Sequence, residues 1–214
     1  MRRVQRGFGL LELMLALAIG LMLLAVASQL FTAAHQTWRL QSTALRMQDE
    51  ARQALLRMAQ DIRMAGMFGC LRIEPDDFKD PVARQAFDQP LEVNTTSLSL
   101  VVAELPGQAG APEWFVQTDC NMKVLVQKVR DERYPFAYPI SRYVYQLKDN
   151  GLKFKRGTSN PQPLVENVRE LRFERVQMPQ GERVDIALTL YEPTLKVEQR
   201  HEVSVALRNA VPAS

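Results

Sequence analysis

The chain is poor in the residues that carry most enzyme chemistry. It holds two histidines and two cysteines in 214 residues, and no GxSxG, HExxH or glycine-rich phosphate loop. His35 and His201 are far apart, and neither has a second His, Cys or carboxylate at metal-ligand spacing. Such a sequence predicts no catalytic set, no metal and no cofactor, so the protein is expected not to be an enzyme. Asp76, Asp77 and Asp80 read as a solvated acidic loop, with cation binding as the alternative. Proline is absent before Pro75, so nothing forces a break in the first 74 residues. Charge is absent between Glu12 and Arg39, and from Leu13 to Ala27 every residue is apolar or glycine. That run is long enough to cross a bilayer.

What charge there is sits unevenly. The net charge is +3, from 27 basic and 24 acidic residues, and Arg2, Arg3 and Arg6 crowd the start; without them the balance is zero. The basic excess is a targeting feature and not a binding surface, and no direct nucleic-acid contact is expected. Arginines ahead of an apolar span keep the N-terminus in the cytoplasm and send the rest across the inner membrane. Cys70 and Cys120 then meet an oxidising compartment. A disulfide between them would close a loop of about 50 residues and add on the order of 4 kcal/mol, with two buried free thiols as the bland alternative.

Beyond the apolar run the helical period continues. Leu40, Ala44, Met47, Ala51, Leu55, Met58, Ile62 and Ala65 form one stripe, while Arg57 and Asp61, one turn apart, belong to the charged faces. One helix over residues 8–66 is predicted, with its transmembrane part at about 8–36; Gly66 and Gly69 supply the stop. Then the period changes to two. SLSLVVA (97–103), WFVQ (114–117), KVLVQKV (123–129), RYVYQL (142–147), VRELRFERVQ (168–177), RVDIALTLYE (183–192) and HEVSVALRN (201–209) read as antiparallel strands, with Asp149-Asn150-Gly151 as a tight turn. Residues 73–90 read as loop or short helix. Tyr134, Phe136, Tyr138, Tyr143 and Tyr145 read as core, with a partner surface as the alternative. The fold class is α+β: a long N-terminal helix, transmembrane in its first half, packed on an antiparallel β-sheet head at 67–214.

Glu12 is the residue out of place, since a charge near a bilayer core costs at least a few kcal/mol. An ordinary signal peptide cut after Ala25-Val26-Ala27 would discard half the helix, and a plain signal anchor leaves the glutamate unexplained. RGFGLLELMLALAIG resembles the class III signal of type IV prepilins and type II secretion pseudopilins: a basic leader ending in glycine, then phenylalanine, then glutamate fifth in the mature chain. Gly7 matches the last residue of a leader at 1–7, Phe8 the usually N-methylated new terminus, and Glu12 the fifth-position glutamate. Gly9 departs from the usual threonine or serine, and Gln29 stands where many major pilins have proline. DEARQALLRMAQDIRMAGMFGC, residues 49–70, is similar to PilW-type minor pilins, although Met67 replaces a commoner aromatic. LKDNGLKFKR and PLVENVRELRFE are similar to that family's hairpin and following strand.

The resemblance implies cleavage between Gly7 and Phe8 by a prepilin peptidase, with the head in the periplasm before assembly and in the pilus fibre or at its tip afterwards. It implies a minor pilin that helps initiate assembly, supporting twitching motility, adhesion or DNA uptake. The implied partners are other minor pilins, the major pilin, the inner-membrane assembly platform and a tip adhesin. Packed beside its neighbours, Glu12 can pair with the amino group of Phe8 and fix the register of a subunit. The nearest alternatives are the J-type minor pseudopilin of type II secretion and a membrane-tethered periplasmic binding module.

Overall fold

The computed structural model describes residues 9–209 except 106, 108, 109 and 180. It divides into two compact units, Met1–Arg46 and Met47–Ser214. Helix α1, Leu10–Met64, has an acidic residue, Glu12, in its first turn and a basic one, Arg63, in its last, as the helix dipole favours. Leucine, methionine and alanine dominate it, all strong helix formers. It ends at Gly66, whose φ of 75° is a conformation that side chains disfavour.

In the first unit, α1 is exposed on every side as far as Ser42, and Thr43 and Ala44 are half-buried. In the second, the stripe Met47, Ala51, Leu55, Met58 and Ile62, broadened by Ala54 and Ala59, is buried. Leu40 and Ala44 continue the same stripe in sequence but fall in the first unit, where Leu40 is 42% exposed. The head-facing stripe is therefore shorter than its periodicity predicts.

The second unit contains a seven-stranded sheet and a three-stranded one. The strands of the larger are β1 (Leu91–Asn94), β2 (Ser97–Ala103), β3 (Trp114–Thr118), β4 (Val124–Gln127), β5 (Phe136–Lys148), β6 (Gly151–Arg156) and β7 (Gln162–Val165). Those of the smaller are β8 (Val168–Met178), β9 (Gly181–Glu192) and β10 (Val197–Ala206), antiparallel in the order β10-β9-β8. Strand β5 is the spine: β2 pairs along one edge, and β3 and then β6 share the other. Its first residues, from Phe136, pair with β3, so the strand begins earlier than RYVYQL alone suggests. The hairpin turn uses Asp149 and Asn150, both at φ 53°, a region these residues enter more readily than most. Residues 73–90 hold a 3-10 turn, Pro75–Asp77, and helix α2, Pro81–Asp88.

Two cores result. Leu98, Leu100 and Val102 of β2 join Tyr143, Tyr145, Leu152 and Phe154 against α1, together with Leu171, Phe173, Ile186 and Leu188 of the smaller sheet. Val101 points the other way and packs with Ala83, Phe87, Trp114 and Ile140 under α2. From Leu100 to Val102 strand β2 is buried on both faces, which is why the alternation of Ser97–Leu100 gives way there to an apolar run. Of the aromatic group, Tyr143 and Tyr145 are core whereas Phe136 is 48% exposed.

A polar contact crosses the main core. The Tyr145 hydroxyl donates to Asp61, and the Arg57 guanidinium lies 4.0 Å above the Phe154 ring. Asp61 is half-buried and not on an open charged face. Burial raises its carboxyl above the usual range, against the lowering effect of Tyr145 and Arg57. Burial likewise pushes the Tyr143 hydroxyl up to about 12 and Tyr145 higher still. Cys70, on the segment after α1, and Cys120, just beyond β3, form a disulfide.

A raised carboxyl contributes its stability in acid and loses it as pH rises through the raised value. Urea unfolding should show the stability of the native chain relative to Asp61→Asn improving from neutral to mildly acid buffer. Tyr145→Phe should cost about 1–3 kcal/mol, more at neutral pH, because it leaves an ionised acceptor unpaired. The Cys70→Ser/Cys120→Ser double variant should lose up to about 4 kcal/mol. Hydrogen exchange of that variant should quicken in residues 67–79 well before residues 47–62.

Candidate functional site

The head of α1 is built from very few atoms. The Gly9 carbonyl accepts the Glu12 and Leu13 amides at 3.0 and 3.2 Å, closing the first turn. The Gly9 N–H donates to Glu12 Oε2 at 3.3 Å, so the carboxylate folds back over the start of the helix. That position suits it, because the first amides of a helix lack intrahelical acceptors and carry partial positive charge. The contact uses one carboxylate oxygen. The other can accept a cation brought to the same end. Gly7 and Phe8, the predicted cleavage pair, lie outside the described residues.

Around Glu12 the surface is uniformly apolar. Leu10, Leu11, Leu13 and Met14 are all exposed, and the helix is long and apolar enough to cross a membrane, with none of that apolar window buried within the chain. A carboxylate in such a setting gains strongly from an ion pair and loses strongly without one. Farther along, Phe31, His35 and Trp38 lie on one side of the helix with neighbouring ring centroids 6.4 and 6.1 Å apart. Amphipathic rings grouped at the end of an apolar run suit a membrane surface.

The other candidates are occupied by structural tasks. Asp80 caps α2 through the Val82 N–H at 3.0 Å, accepts Trp114 Nε1 at 3.3 Å and meets Lys128 at 3.1 Å. Its burial opposes ionisation, but these bonds outweigh it and hold the carboxyl below its ordinary value. Asp77 accepts the Glu74 N–H at 2.7 Å, and Asp119 accepts three successive amides, from Asn121 to Lys123, which lowers it to about 2. Among the described residues no group of three or more His, Cys, Asp or Glu side chains could hold a metal. His201 Nε2 faces Gln199 Oε1 at 3.3 Å on β10.

Sequence reasoning missed two of these arrangements. Asp80 was legible as an N-cap, since Asp-Pro before a helical stretch is a start signal. The Asp61 to Tyr145 contact spans 84 residues and had no local signal.

Among known proteins, no curated protein and no solved structure matches the chain. The model of the prokaryotic N-terminal methylation motif matches residues 2–28, which include Gly7, Phe8 and Glu12. That motif, continued by an apolar helix and an antiparallel head with one disulfide, supports a type IV pilin-like protein that a prepilin peptidase processes and that assembles with other pilins.

Proposed function

We propose that the chain is a minor pilin of the PilW type, whose work is assembly and not catalysis. Cleavage after Gly7 leaves Phe8 as the N-methylated terminus, four residues before Glu12 in sequence. The single observation that carries this reading is Glu12 itself, folded over the first turn of an exposed apolar helix with one oxygen on the Gly9 amide. In the inner membrane such a helix is anchored with its head in the periplasm. Beside other pilins it finds what it lacks, because apolar helices cover its sides and an amino terminus approaches its carboxylate. A subunit displaced along its own axis would leave that charge unpaired in a medium without water, so the pair sets the register.

The MAGMFGC junction favours the pilus protein over a type II secretion pseudopilin. In this role the chain joins other minor pilins to start polymerisation, stays at or near the tip, and supports motility, adhesion or DNA uptake. The assembly platform and the major pilin are its successive partners.

Glu12→Ala should insert into the membrane normally but enter pili, and co-purify with minor pilins, at least about tenfold less, as loss of a few kcal/mol of pairing requires. Quantitative immunoblots of sheared pili against membrane fractions measure this, and mass spectrometry of the membrane form should find N-methylated Phe8. Equal incorporation of Glu12→Ala, or an intact Met1, would indicate a tethered binding module.

A further inference from the structure

The length of the apolar run in α1 fixes where the next side chains stand. Leu10 to Leu30 makes about 31 Å of helix at about 1.5 Å per residue, and the hydrocarbon layer of a bilayer is about 30 Å thick. With that run in the bilayer, Phe31 stands at the boundary, His35 about 6 Å beyond it and Arg39 about 12 Å beyond, next to a headgroup layer about 5–8 Å deep. Helical side chains lean toward the N-terminus, which here is toward the bilayer, so Arg39 reaches back into that layer. Thr32 and Thr37 donate to the carbonyls of Gln29 and Ala33 at 2.9 and 3.0 Å, so their hydroxyls need no water there.

These residues share one exposed face. The rings of Phe31, His35 and Trp38 follow one another 6.4 and 6.1 Å apart, and Arg39 lies one turn beyond His35 on the same side. Leu40 and Ala44, which continue the head-facing stripe in sequence, fall roughly across the helix from His35. The charge of Arg39 has no counterpart nearby. No Asp or Glu occurs between Glu12 and Asp49. Asp49 stands about 15 Å farther along the helix, and its carboxylate accepts Gln53 Nε2 at 2.8 Å. Among the described residues no carboxylate lies within ion-pair distance of Arg39.

We infer that this face docks on anionic phospholipid at the bilayer surface, with the Arg39 guanidinium on headgroup phosphate and the three rings beside it at the boundary. The inference rests on the reading that the apolar run spans the membrane. At the depth of Arg39 the acceptor that the bilayer itself supplies is lipid phosphate, and a planar guanidinium meets two phosphate oxygens at once. A zwitterionic lipid offsets its phosphate with its own cation, so a lipid of net negative charge is preferred, by about fivefold for one basic side chain at the surface. The indole N–H of Trp38 is a further donor for the same layer. Such contacts hold the subunit at one depth. A subunit drawn out of the bilayer must release them, so the hold acts only while the chain is in the membrane.

The test reconstitutes the full chain in phosphatidylcholine vesicles that carry a small fraction of nitroxide-labelled lipid, either phosphatidylglycerol or phosphatidylcholine, and measures quenching of Trp38 fluorescence. The chain's other tryptophan, Trp114, is buried in the head, and a Trp38→Phe chain supplies its background. The phosphatidylglycerol label should associate about fivefold more strongly than the phosphatidylcholine label at low salt, with the preference shrinking as salt rises. Arg39→Gln should bring the two labels level, Arg39→Lys should keep the preference, and Arg172→Gln, on the smaller sheet, should leave it unchanged. Equal quenching by both labels in the native chain, or a preference that survives Arg39→Gln, overturns the assignment while leaving the span intact. Absence of quenching by either label, together with failure of the chain to float with the vesicles, refutes the span and this inference with it.

Discussion

Every other feature depends on α1 meeting two environments with one unbroken ladder of backbone hydrogen bonds. Within the bilayer no water can satisfy a free N–H or C=O, so the first half must be helical throughout and apolar on all sides. From Met47 onward the same ladder serves as one wall of a core, and only the buried stripe needs to be apolar. The change of composition falls in the interior of the helix, with no proline or glycine to mark it. Glu12 belongs to the first environment alone, and among the described residues its carboxylate meets the start of its own helix.

The head is organised by a few polar contacts inside apolar surroundings. Asp61 reaches Tyr145 across the main core, and Asp80 joins α2 to Trp114 and to Lys128 beyond β4. Glu104 and Arg156 form a bidentate pair, both bonds 2.6 Å, with the Glu104 side chain 3% exposed. Each fixes one relative position of two elements that hydrophobic contact alone would leave free to slide, and a satisfied buried pair penalises displacement more than it adds stability.

How much of this was legible in the sequence follows the range of the interactions. The helix, the hairpin at Asp149-Asn150-Gly151 and the β-rich head came from local periodicity and turn chemistry, and they stand. The strand edges did not: β10 begins at Val197, four residues ahead of HEVSVALRN, because Val197 to Arg200 pair with Glu192 to Thr189 despite their polarity. Strands β1 and β7, four residues each, are too short to show a period. Glu12 was conspicuous because it breaks a pattern, whereas Asp61 was hidden because a charge on an amphipathic helix breaks none.

The disulfide also has a mechanical meaning. Cys70 and Cys120 enclose β1, β2, α2 and β3, and the bond spans a sequence separation of 50. Tension entering the head from α1 and leaving through any point beyond β3 would pass directly from one sulfur to the other. The enclosed residues, about 170 Å of chain if drawn out, would never join the loaded path. Under traction along that path β1, β2, α2 and β3 carry no load through their own backbone, whereas the sequence after Cys120 can be drawn out.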